Sequence, residues 1–303
     1  MNQDHLESIQ IDAEWDPSAY CDTADEFFKT ATCGDAVTEQ LLYEAIGYSM
    51  LKTNQLAKAF MLVGEGRNGK STYLDIIKAI LGKANYASLS LKDMSNTFRV
   101  SQLKDKLASL AGDISAQPIS DSDLLKSISA GEDITIEQKY KDSYTSSLYS
   151  TLFYACNKLP KTPDTSDGYY RRWCIIPFNA DLTKISNVDG FAFKKRLLSQ
   201  ESINYIAYKA VNAIYKVFNT TKDFTVPNSV ASAIEAYKIS NSSLLSWFVD
   251  YCDKDADRIK RLGLDSSYER YTEWCKDANR PSMSKTNYQI DVKRQLKIDF
   301  DEK

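Results

Sequence analysis

The sequence is poor in the residues that build zinc sites and histidine chemistry. Among 303 residues there is one histidine, His5, and no two cysteines are spaced as in a Cys-x-x-Cys pair. Structural zinc usually needs such closely spaced ligands, so the sequence gives no indication of a zinc site. A mechanism with a histidine base has His5 as its single candidate. The six cysteines, at positions 21, 33, 156, 174, 252 and 275, are best interpreted as reduced thiols of a cytosolic protein.

Long apolar runs and an excess of positive charge are lacking as well. No apolar run approaches 18 residues and no signal peptide is apparent, so we expect a soluble cytoplasmic protein with no membrane partner. If a phage encodes the chain, that compartment is the host cell cytoplasm. The net charge is -3, and bulk charge therefore does not indicate a nucleic-acid-binding protein. Binding through a few basic loops that line a channel stays open.

The pattern of hydrophobic residues, which make up 43% of the chain, predicts an α/β protein. Residues 58–63 form a short apolar run before a glycine loop, and residues 71–81 follow as an amphipathic helix that ends at Gly82. Further strand-like runs cover residues 107–111, 147–154 and 173–178. Strands that alternate with helices indicate a central, mostly parallel sheet with helices around it.

Three parts are expected along the chain. Residues 1–55 are interpreted as a small N-terminal helical unit, with a helical pattern from about residue 25 to residue 51. Residues 56–220 hold the sheet and end in a long helical segment over residues 191–218. Residues 221–303 are interpreted as a C-terminal helical or winged-helix unit, with helical stretches near residues 229–252 and 266–278.

The strongest motif lies in the glycine loop. The sequence Gly-Glu-Gly-Arg-Asn-Gly-Lys-Ser from Gly64 to Ser71 matches G-x-x-x-x-G-K-[ST], with a predicted strand before it and a predicted helix after it. Such a loop turns backbone N–H groups toward phosphate oxygens, its lysine reaches the β- and γ-phosphates, and its hydroxyl holds Mg²⁺. We therefore predict a nucleotide site formed by Gly64, Glu65, Gly66, Arg67, Asn68, Gly69, Lys70, Ser71 and Thr72.

Two polar residues follow later strands. Asp113 ends the apolar run 107–111 after Gly112, where a carboxylate suits a second Mg²⁺ contact; the alternative is an exposed turn aspartate. Asn157 follows another strand and is suited to orient the attacking water, or simply ends that strand. GTPases carry N-K-x-D at a comparable point, whereas the fourth residue here is Pro160. This difference argues against a G-protein.

Two adjacent arginines, Arg171 and Arg172, precede the last predicted strand. One guanidinium in this position is suited to reach the γ-phosphate of a neighbouring subunit as an arginine finger. The alternative is a solvated strand edge, which is the commoner explanation for an Arg-Arg pair taken alone.

The order of these motifs resembles that of the superfamily 3 helicases, specifically the helicase portion of phage and plasmid primase–helicases and their poxvirus relatives. The similarity covers most of the chain and is strongest between residues 40 and 180. The segments that carry it are Trp15–Ala19, Leu42–Tyr48, Gly64–Thr72, Gly131–Asp133, Lys139–Asp142, Asn157–Pro160, Arg171–Trp173 and Tyr268–Cys275.

The resemblance implies an AAA+-like P-loop core that assembles into a hexameric homo-oligomeric ring and hydrolyses ATP, with Mg²⁺, while it moves on single-stranded DNA. It assigns Lys70 and Ser71 to Walker A, Asp113 to Walker B and Asn157 to sensor 1. Either Arg171 or Arg172 would be the finger. Primase or other replication proteins are implied as partners.

The resemblance also implies a channel β-hairpin from about residue 134 to residue 149. Lys139 and Lys141 would then contact DNA phosphates, and the alternative for both is a solvated basic turn. Many members of the family have paired acidic residues at the end of the Walker B strand, whereas Gly112 precedes Asp113 here. The residue that activates water is therefore left open among Glu65, Glu132 and Asp133.

Three functions are compatible with these motifs. The first is an ATP-dependent DNA helicase, either dedicated or as the helicase fragment of a longer chain, because we find no primase region. The second is a nucleotide-regulated replication initiator or DNA-binding scaffold without unwinding activity, which the Gly112–Asp113 departure favours. The third is a P-loop kinase, against which the arginine pair and the lysine-bearing segment count weakly.

Overall fold

Five parallel strands form the central sheet of the protein. The computed structural model describes residues 9–114, 118–119, 122–138, 140–182 and 190–300. The strands of the sheet lie in the spatial order β2-β3-β6-β1-β7. Their bounds are β1 Ala59–Val63, β2 Tyr86–Ala87, β3 Ala108–Ala111, β6 Thr151–Cys156 and β7 Trp173–Pro177. The prediction of a mixed α/β fold with a mostly parallel central sheet is confirmed.

Burial explains why these strands are short apolar runs without alternation. Every residue of β3 and β6 is buried, and so is every residue of β1 except Val63. A parallel sheet covered by helices on both faces selects apolar side chains at successive positions. A separate antiparallel hairpin consists of β4 (Asp133–Gln138) and β5 (Lys141–Ser147).

Twelve α-helices are present among the described residues. They are α1 Asp22–Ala31, α2 Ala36–Ser49, α3 Lys70–Leu81, α4 Thr97–Val100, α5 Asp123–Ala130, α6 Asp167–Tyr170, α7 Gly190–Leu197, α8 Gln200–Lys216, α9 Asn228–Asn241, α10 Ser243–Asp250, α11 Ala256–Asp277 and α12 Lys285–Asp291. Helix α11 is interrupted at Gly263, which has φ 72°. None of the helices in the described part of the chain is both long and apolar enough to cross a membrane.

Two predicted helical segments are each divided into two helices. The segment from residue 25 to residue 51 is broken between α1 and α2, where Gly34 has φ 80° and the Asp35 side chain accepts a hydrogen bond from Val37 N at 3.0 Å. The segment 191–218 is broken between α7 and α8, where Ser199 caps the second helix. Caps of this kind satisfy the first N–H groups of a new helix, which the hydrophobic pattern alone does not reveal.

The chain forms two compact units, residues 1–234 and 235–303, and the division falls within α9. In the first unit, α1, α2, α3 and α8 share one hydrophobic core with the sheet. The backbones of α2 and α8 approach closely, because a Cβ added at Gly47 would lie 2.3 Å from the carbonyl oxygen of Ala210. The predicted boundaries at 55/56 and 220/221 stay predictions, since compactness does not show which segments fold by themselves.

The second unit, from residue 235 to residue 300, has its own core of aromatic residues. Trp247 is fully buried and contacts both Tyr271 and Tyr288, with ring centroids 5.9 and 6.0 Å away. Within these residues the structure has helices and no strand. All six cysteines of the chain are free thiols, and only Cys33 is exposed.

Candidate nucleotide site

Three of the predicted site segments meet at one edge of the sheet. The glycine loop follows β1, Asp113 follows β3 by two residues, and Asn157 follows β6 directly. Strand β6 lies between β1 and β3, with Cys156 opposite Val63 and Tyr154 opposite Ala111. Because the strands are parallel, their carboxyl ends share this edge, and Asn157 follows the strand between the other two.

The glycine loop is fixed at its base by both neighbouring strands. Gly64 N donates to the carbonyl of Cys156 at the end of β6 (3.2 Å), and Phe178 N, just after β7, donates to Val63 O (2.7 Å). Near the top of the loop, Leu182 N donates to Arg67 O at 3.1 Å. The loop is therefore held by hydrogen bonds from segments more than 90 residues away in sequence, and the residues that follow β7 form part of the site.

Gly69 directs the chain from the loop into α3. It has φ 96°, a left-handed conformation that residues with a Cβ rarely adopt. A Cβ at this position would also lie 3.1 Å from Leu182 Cδ1 and 3.2 Å from Phe27 Cε2. Helix α3 begins at the next residue, Lys70, so its free N–H groups face the loop and favour an anion there.

Lys70 is only 7% exposed, and its ammonium is held inside the loop. Nζ donates to the carbonyls of Gly64 and Glu65 (3.2 Å for Glu65) and to Asn68 Oδ1 at 3.0 Å. Burial lowers the pKa of Lys70, while Cys156 and Asp113 act in the opposite direction. Asp113 is thus close enough to interact electrostatically with the lysine, as a residue that shares its site would.

A cavity of about 580 Å³ lies over this edge of the sheet. It is lined by Gly66, Arg67, Asn68, Gly69, Lys70, Ser71, Thr72, Asp113, Ala155, Cys156, Asn157, Leu182 and Gly190. This volume is typical of a small-molecule or cofactor site. Most of the predicted nucleotide-binding residues line the cavity, and Gly64 and Glu65 form the first turn of the loop beneath Lys70.

The position of Asp113 is compatible with both interpretations of its sequence context, an exposed turn aspartate and a Mg²⁺ ligand. It is exposed and has φ 51°, as expected for an aspartate in a turn, and it also lines the cavity. A carboxylate here and the Ser71 hydroxyl are oxygen donors of the kind that Mg²⁺ prefers. Within the described ranges, Asp113 is the only acidic side chain among the lining residues.

Arg171 and Arg172 lie at the opposite edge of the sheet. They precede β7, whose first residue Trp173 is opposite Ala59, the first residue of β1. The loop of the same chain begins after the far end of β1, roughly 13 Å away along the strand. Neither arginine is therefore positioned to act at its own chain's glycine loop.

The two arginines differ in their surroundings. Arg171 is exposed, and its carbonyl accepts a hydrogen bond from Lys58 Nζ at 2.9 Å. Arg172 is half-buried, and its Nε has no hydrogen-bond partner within the described part of the chain. Burial and the charge of Arg171 lower the pKa of Arg172, whereas Glu132 raises it.

Glu132 and Asp133 lie away from the glycine loop. Glu132 interacts electrostatically with Arg172, and its carboxylate accepts a hydrogen bond from Ser127 Oγ at 2.9 Å. Asp133 follows it as the first residue of β4. Of the three candidates for activating water, only Glu65 belongs to the loop that follows β1 of the same chain.

A β-hairpin is present at the predicted position as β4 and β5, and its place in a channel stays a prediction. Ile134 and Ile136 are buried on one face of it, and Tyr140, at the turn, is 94% exposed with φ 60°. Lys139 lies outside the described residues. Lys141 is the first residue of β5, and its side chain also lies outside the description. The DNA contacts of both lysines stay predictions.

Sequence reasoning missed several residues that shape the cavity. Leu182 and Gly190 line it from segments without a recognisable motif, and no sequence signal indicates them. Asn68 belongs to the predicted nucleotide-binding set, but its side chain bonds Lys70 and the carbonyl of Phe178 (2.7 Å). The motif treats this position as variable, so its spacing assigns Asn68 no such role.

Comparisons with known proteins show similarity over part of this chain. A family model described as "Family of unknown function (DUF5906)" matches residues 62–172. The chain is 29% identical over 141 residues to "Putative helicase L207/L206" of Acanthamoeba polyphaga mimivirus. That alignment covers 44% of this chain and 15% of the mimivirus protein, so the chain spans a small part of that relative's length.

Solved structures of the NrS-1 C terminal region share the fold. One apo structure matches with a TM-score of 0.60 and 16% identity, and it covers 86% of this chain and 60% of the NrS-1 chain. A second apo structure matches with a TM-score of 0.58 and 15% identity over 95% of this chain and 69% of the other. At such identities the similarity establishes the fold and not the activity.

Proposed function

We propose that the protein is an ATP-dependent DNA helicase or translocase, of the superfamily 3 type, from a phage or mobile-element replication system. The observation that carries the proposal is the common position of Lys70, Asp113 and Asn157 around one cavity at one edge of the sheet. The mimivirus relative is named as a helicase, and the similarity extends over 44% of this chain. Both findings support a helicase-like protein.

The residues around the cavity suit ATP and Mg²⁺. The backbone from Gly64 to Gly69 and the Lys70 ammonium hold the triphosphate, and Ser71 and Asp113 supply oxygen ligands to the metal. Mg²⁺, when bound, neutralises charge on the phosphate oxygens. The Asn157 amide orients the attacking water from the strand end between β1 and β3.

The position of the arginines supports hydrolysis at subunit interfaces. Because Arg171 and Arg172 lie at the opposite edge from their own loop, a guanidinium reaches a γ-phosphate only across a contact between two copies of the chain. A head-to-tail contact of this kind generates a closed ring where its rotation closes, and we propose a ring of six copies. Single-stranded DNA then passes the hairpin β4–β5, where Lys139 and Lys141 contact its phosphates.

A second function is favoured by one observation. Asp113 is the only acidic side chain lining the cavity in the described part of the chain, and it occupies a turn with φ 51°. A cavity with a single lining carboxylate among the described residues suits a protein that binds nucleotide without turning it over. Such a protein would be a nucleotide-regulated initiator or scaffold on DNA.

ATP turnover with and without single-stranded DNA tests the proposal, measured for the wild type and for Lys70→Ala, with sedimentation of each protein. Lys78→Ala is a matched control, because Lys78 lies on the same helix and its side chain is 36% exposed beside Asp75. We expect DNA-stimulated turnover that is lost only in Lys70→Ala, from a species several times the monomer mass. DNA binding without turnover would support the initiator instead.

The arginines are tested in the same assay. One of Arg171→Ala and Arg172→Ala is expected to bind ATP normally and to lose about 10³-fold or more in turnover, the usual contribution of an arginine finger. Full turnover by both variants in assembled rings would overturn the proposed interface mechanism.

A further inference from the structure

Asn68 is a buried polar side chain in an otherwise exposed stretch of the glycine loop. Its relative exposure is 4%, whereas Glu65, Gly66 and Arg67 before it are exposed. A buried amide needs partners for both ends, because a buried donor or acceptor without a hydrogen bond has lost its contact with water and gained nothing in exchange. Asn68 has both partners, so its burial reflects a built contact.

The two ends of the amide serve chemically different groups. Nδ2 donates to the carbonyl oxygen of Phe178 at 2.7 Å, and Oδ1 accepts from Lys70 Nζ at 3.0 Å. A carbonyl only accepts and an ammonium only donates, so the orientation of the amide is fixed by its partners. Aspartate lacks the donor, and a hydroxyl side chain is too short to span both groups.

The loop is shaped to admit this amide. A Cβ added at Gly64 would lie 2.3 Å from Asn68 Nδ2 and 2.2 Å from Phe178 O. The hydrogen bond between Asn68 and Phe178 thus occupies the space that a side chain at Gly64 would fill. Gly64 and Asn68 are complementary positions of one arrangement, and the first glycine of the motif is needed here for a contact within the protein.

The contact joins Lys70 to the end of strand β7. Phe178 follows β7, and its N–H is bonded to Val63 O in β1, so its carbonyl is held rigidly. Asn68 therefore connects the Lys70 ammonium, which also donates to Gly64 O and Glu65 O, to this fixed carbonyl.

We propose that Asn68 is a positioning residue that holds the Lys70 ammonium in place for the nucleotide phosphates by anchoring it to the end of β7. The inference rests on the proposed nucleotide site and deepens it. Asn68 acts through Lys70, and its contribution is distinct from the phosphate contacts of the loop backbone. Because a 1 Å misplacement of a catalytic group can cost about 10²-fold in rate, loss of this anchor has a measurable effect.

Three variants test the proposal against a purely structural role. Asn68→Ala removes both bonds, and Asn68→Asp keeps an acceptor for Lys70 while losing the donor to Phe178. Asn85→Ala is the matched control, because Asn85 is 5% exposed and its amide bonds two carbonyls, Gln10 O and Leu81 O, in the same unit. The measurements are ADP affinity, kcat and KM for ATP, and the urea midpoint without nucleotide.

Both alanine variants are expected to lower the urea midpoint, but only Asn68→Ala should lower kcat, by about 10- to 100-fold. Asn68→Asp should bind ADP more weakly than Asn68→Ala, because its carboxylate pairs with Lys70 and retains the ammonium on the loop. Without nucleotide, the loss of urea midpoint in Asn68→Ala combined with Lys70→Ala should be smaller than the two single losses together.

The outcomes separate this inference from the proposed function. A wild-type protein that binds no ADP would overturn both. A wild type that binds ADP, with Asn68→Ala and Asn68→Asp matching Asn85→Ala in ADP affinity and kcat, would overturn the role of Asn68 and leave the nucleotide site intact. Equal ADP affinity in the two Asn68 variants would likewise contradict positioning through Lys70.

Discussion

Replacement of Gly47 by alanine is expected to destabilise the first unit, although alanine is the better helix former. Gly47 lies in α2 where that helix crosses α8. A Cβ here would lie 2.3 Å from Ala210 O, 2.7 Å from Ile214 Cγ2 and 2.8 Å from Ile214 Cβ. All three distances are shorter than the 3.0 Å below which real Cβ contacts are essentially absent.

The expected loss of stability in Gly47→Ala depends on which atom must move. The nearest neighbour is a backbone carbonyl, so the two helices must separate by roughly 0.7 Å along that contact, and close-packed cores resist such shifts. Overpacking of this kind costs about 1–3 kcal/mol. The helix propensity of alanine returns about 1 kcal/mol. The difference is a net loss of about 1 kcal/mol, which corresponds to about 2–4 °C in melting temperature for a unit of this size.

Thermal unfolding followed by circular dichroism measures the loss for Gly47→Ala, and hydrogen exchange of α2 and α8 assigns the transition to the first unit. Gly168→Ala is the control, because among the described residues a Cβ there meets only Ser166 Oγ, at an ordinary 3.6 Å. A melting temperature for Gly47→Ala equal to that of Gly168→Ala would refute the reasoning, since it would mean that α2 and α8 adjust without cost.

Two further predictions concern pH and the glycine loop. Burial alone would raise the pKa of Asp164, but hydrogen bonds from Ser122, Ser166 and Lys126 outweigh it and lower the pKa to about 2, against 3.8 for the free side chain. The pKa is lower in the folded protein than in the unfolded chain, so the carboxylate stabilises the fold at neutral pH. This contribution is lost as the pH falls from about 4 to 2. Asp164→Asn should remove about 1–2 kcal/mol of the pH-dependent stability, which urea unfolding at each pH measures. Gly64→Ala should weaken ADP binding by about fivefold while the protein stays folded, because the new Cβ displaces the hydrogen bond from Asn68 to Phe178 O and one hydrogen bond contributes about 1 kcal/mol.

A specific result would contradict each of these two predictions. An unfolding free energy that falls equally from pH 4 to pH 2 in the wild type and in Asp164→Asn would show that other carboxylates carry the acid sensitivity. ADP affinity in Gly64→Ala within twofold of the wild type, with a normal circular dichroism spectrum, would show that the loop accommodates a side chain without displacing its anchors.

The strand ends were predictable because the signal is local. An apolar run followed by a glycine loop, by Asp113 or by Asn157 is visible within ten residues of sequence, and parallel strands bring their carboxyl ends to one edge. The strand order was not predictable in the same way. Strands β1, β3 and β6 are similar short apolar runs, so their sequences do not indicate which two are neighbours.

Contacts that close the site depend on residues distant in sequence. Asn68 and Phe178 are 110 positions apart, and nothing in either segment alone indicates that they meet. The apolar run 147–154 shows that sequence alone can also fail to separate two strands that are close in the chain. Ser147 ends the hairpin and Thr151 begins β6, yet the hydrophobic pattern passes through both. Only the change of pairing partner in three dimensions separates these two strands.

The place where the hairpin enters the chain has an evolutionary consequence. In sequence, α5 and the hairpin β4–β5 lie between β3 and β6, which are neighbours in the sheet with Ala108 opposite Thr151. The chain thus leaves the sheet and returns to the adjacent position. In evolution this segment can be lengthened, shortened or replaced while every strand pairing of the central sheet is preserved. New surface chemistry can therefore arise here by insertion, independently of the residues that hold the glycine loop.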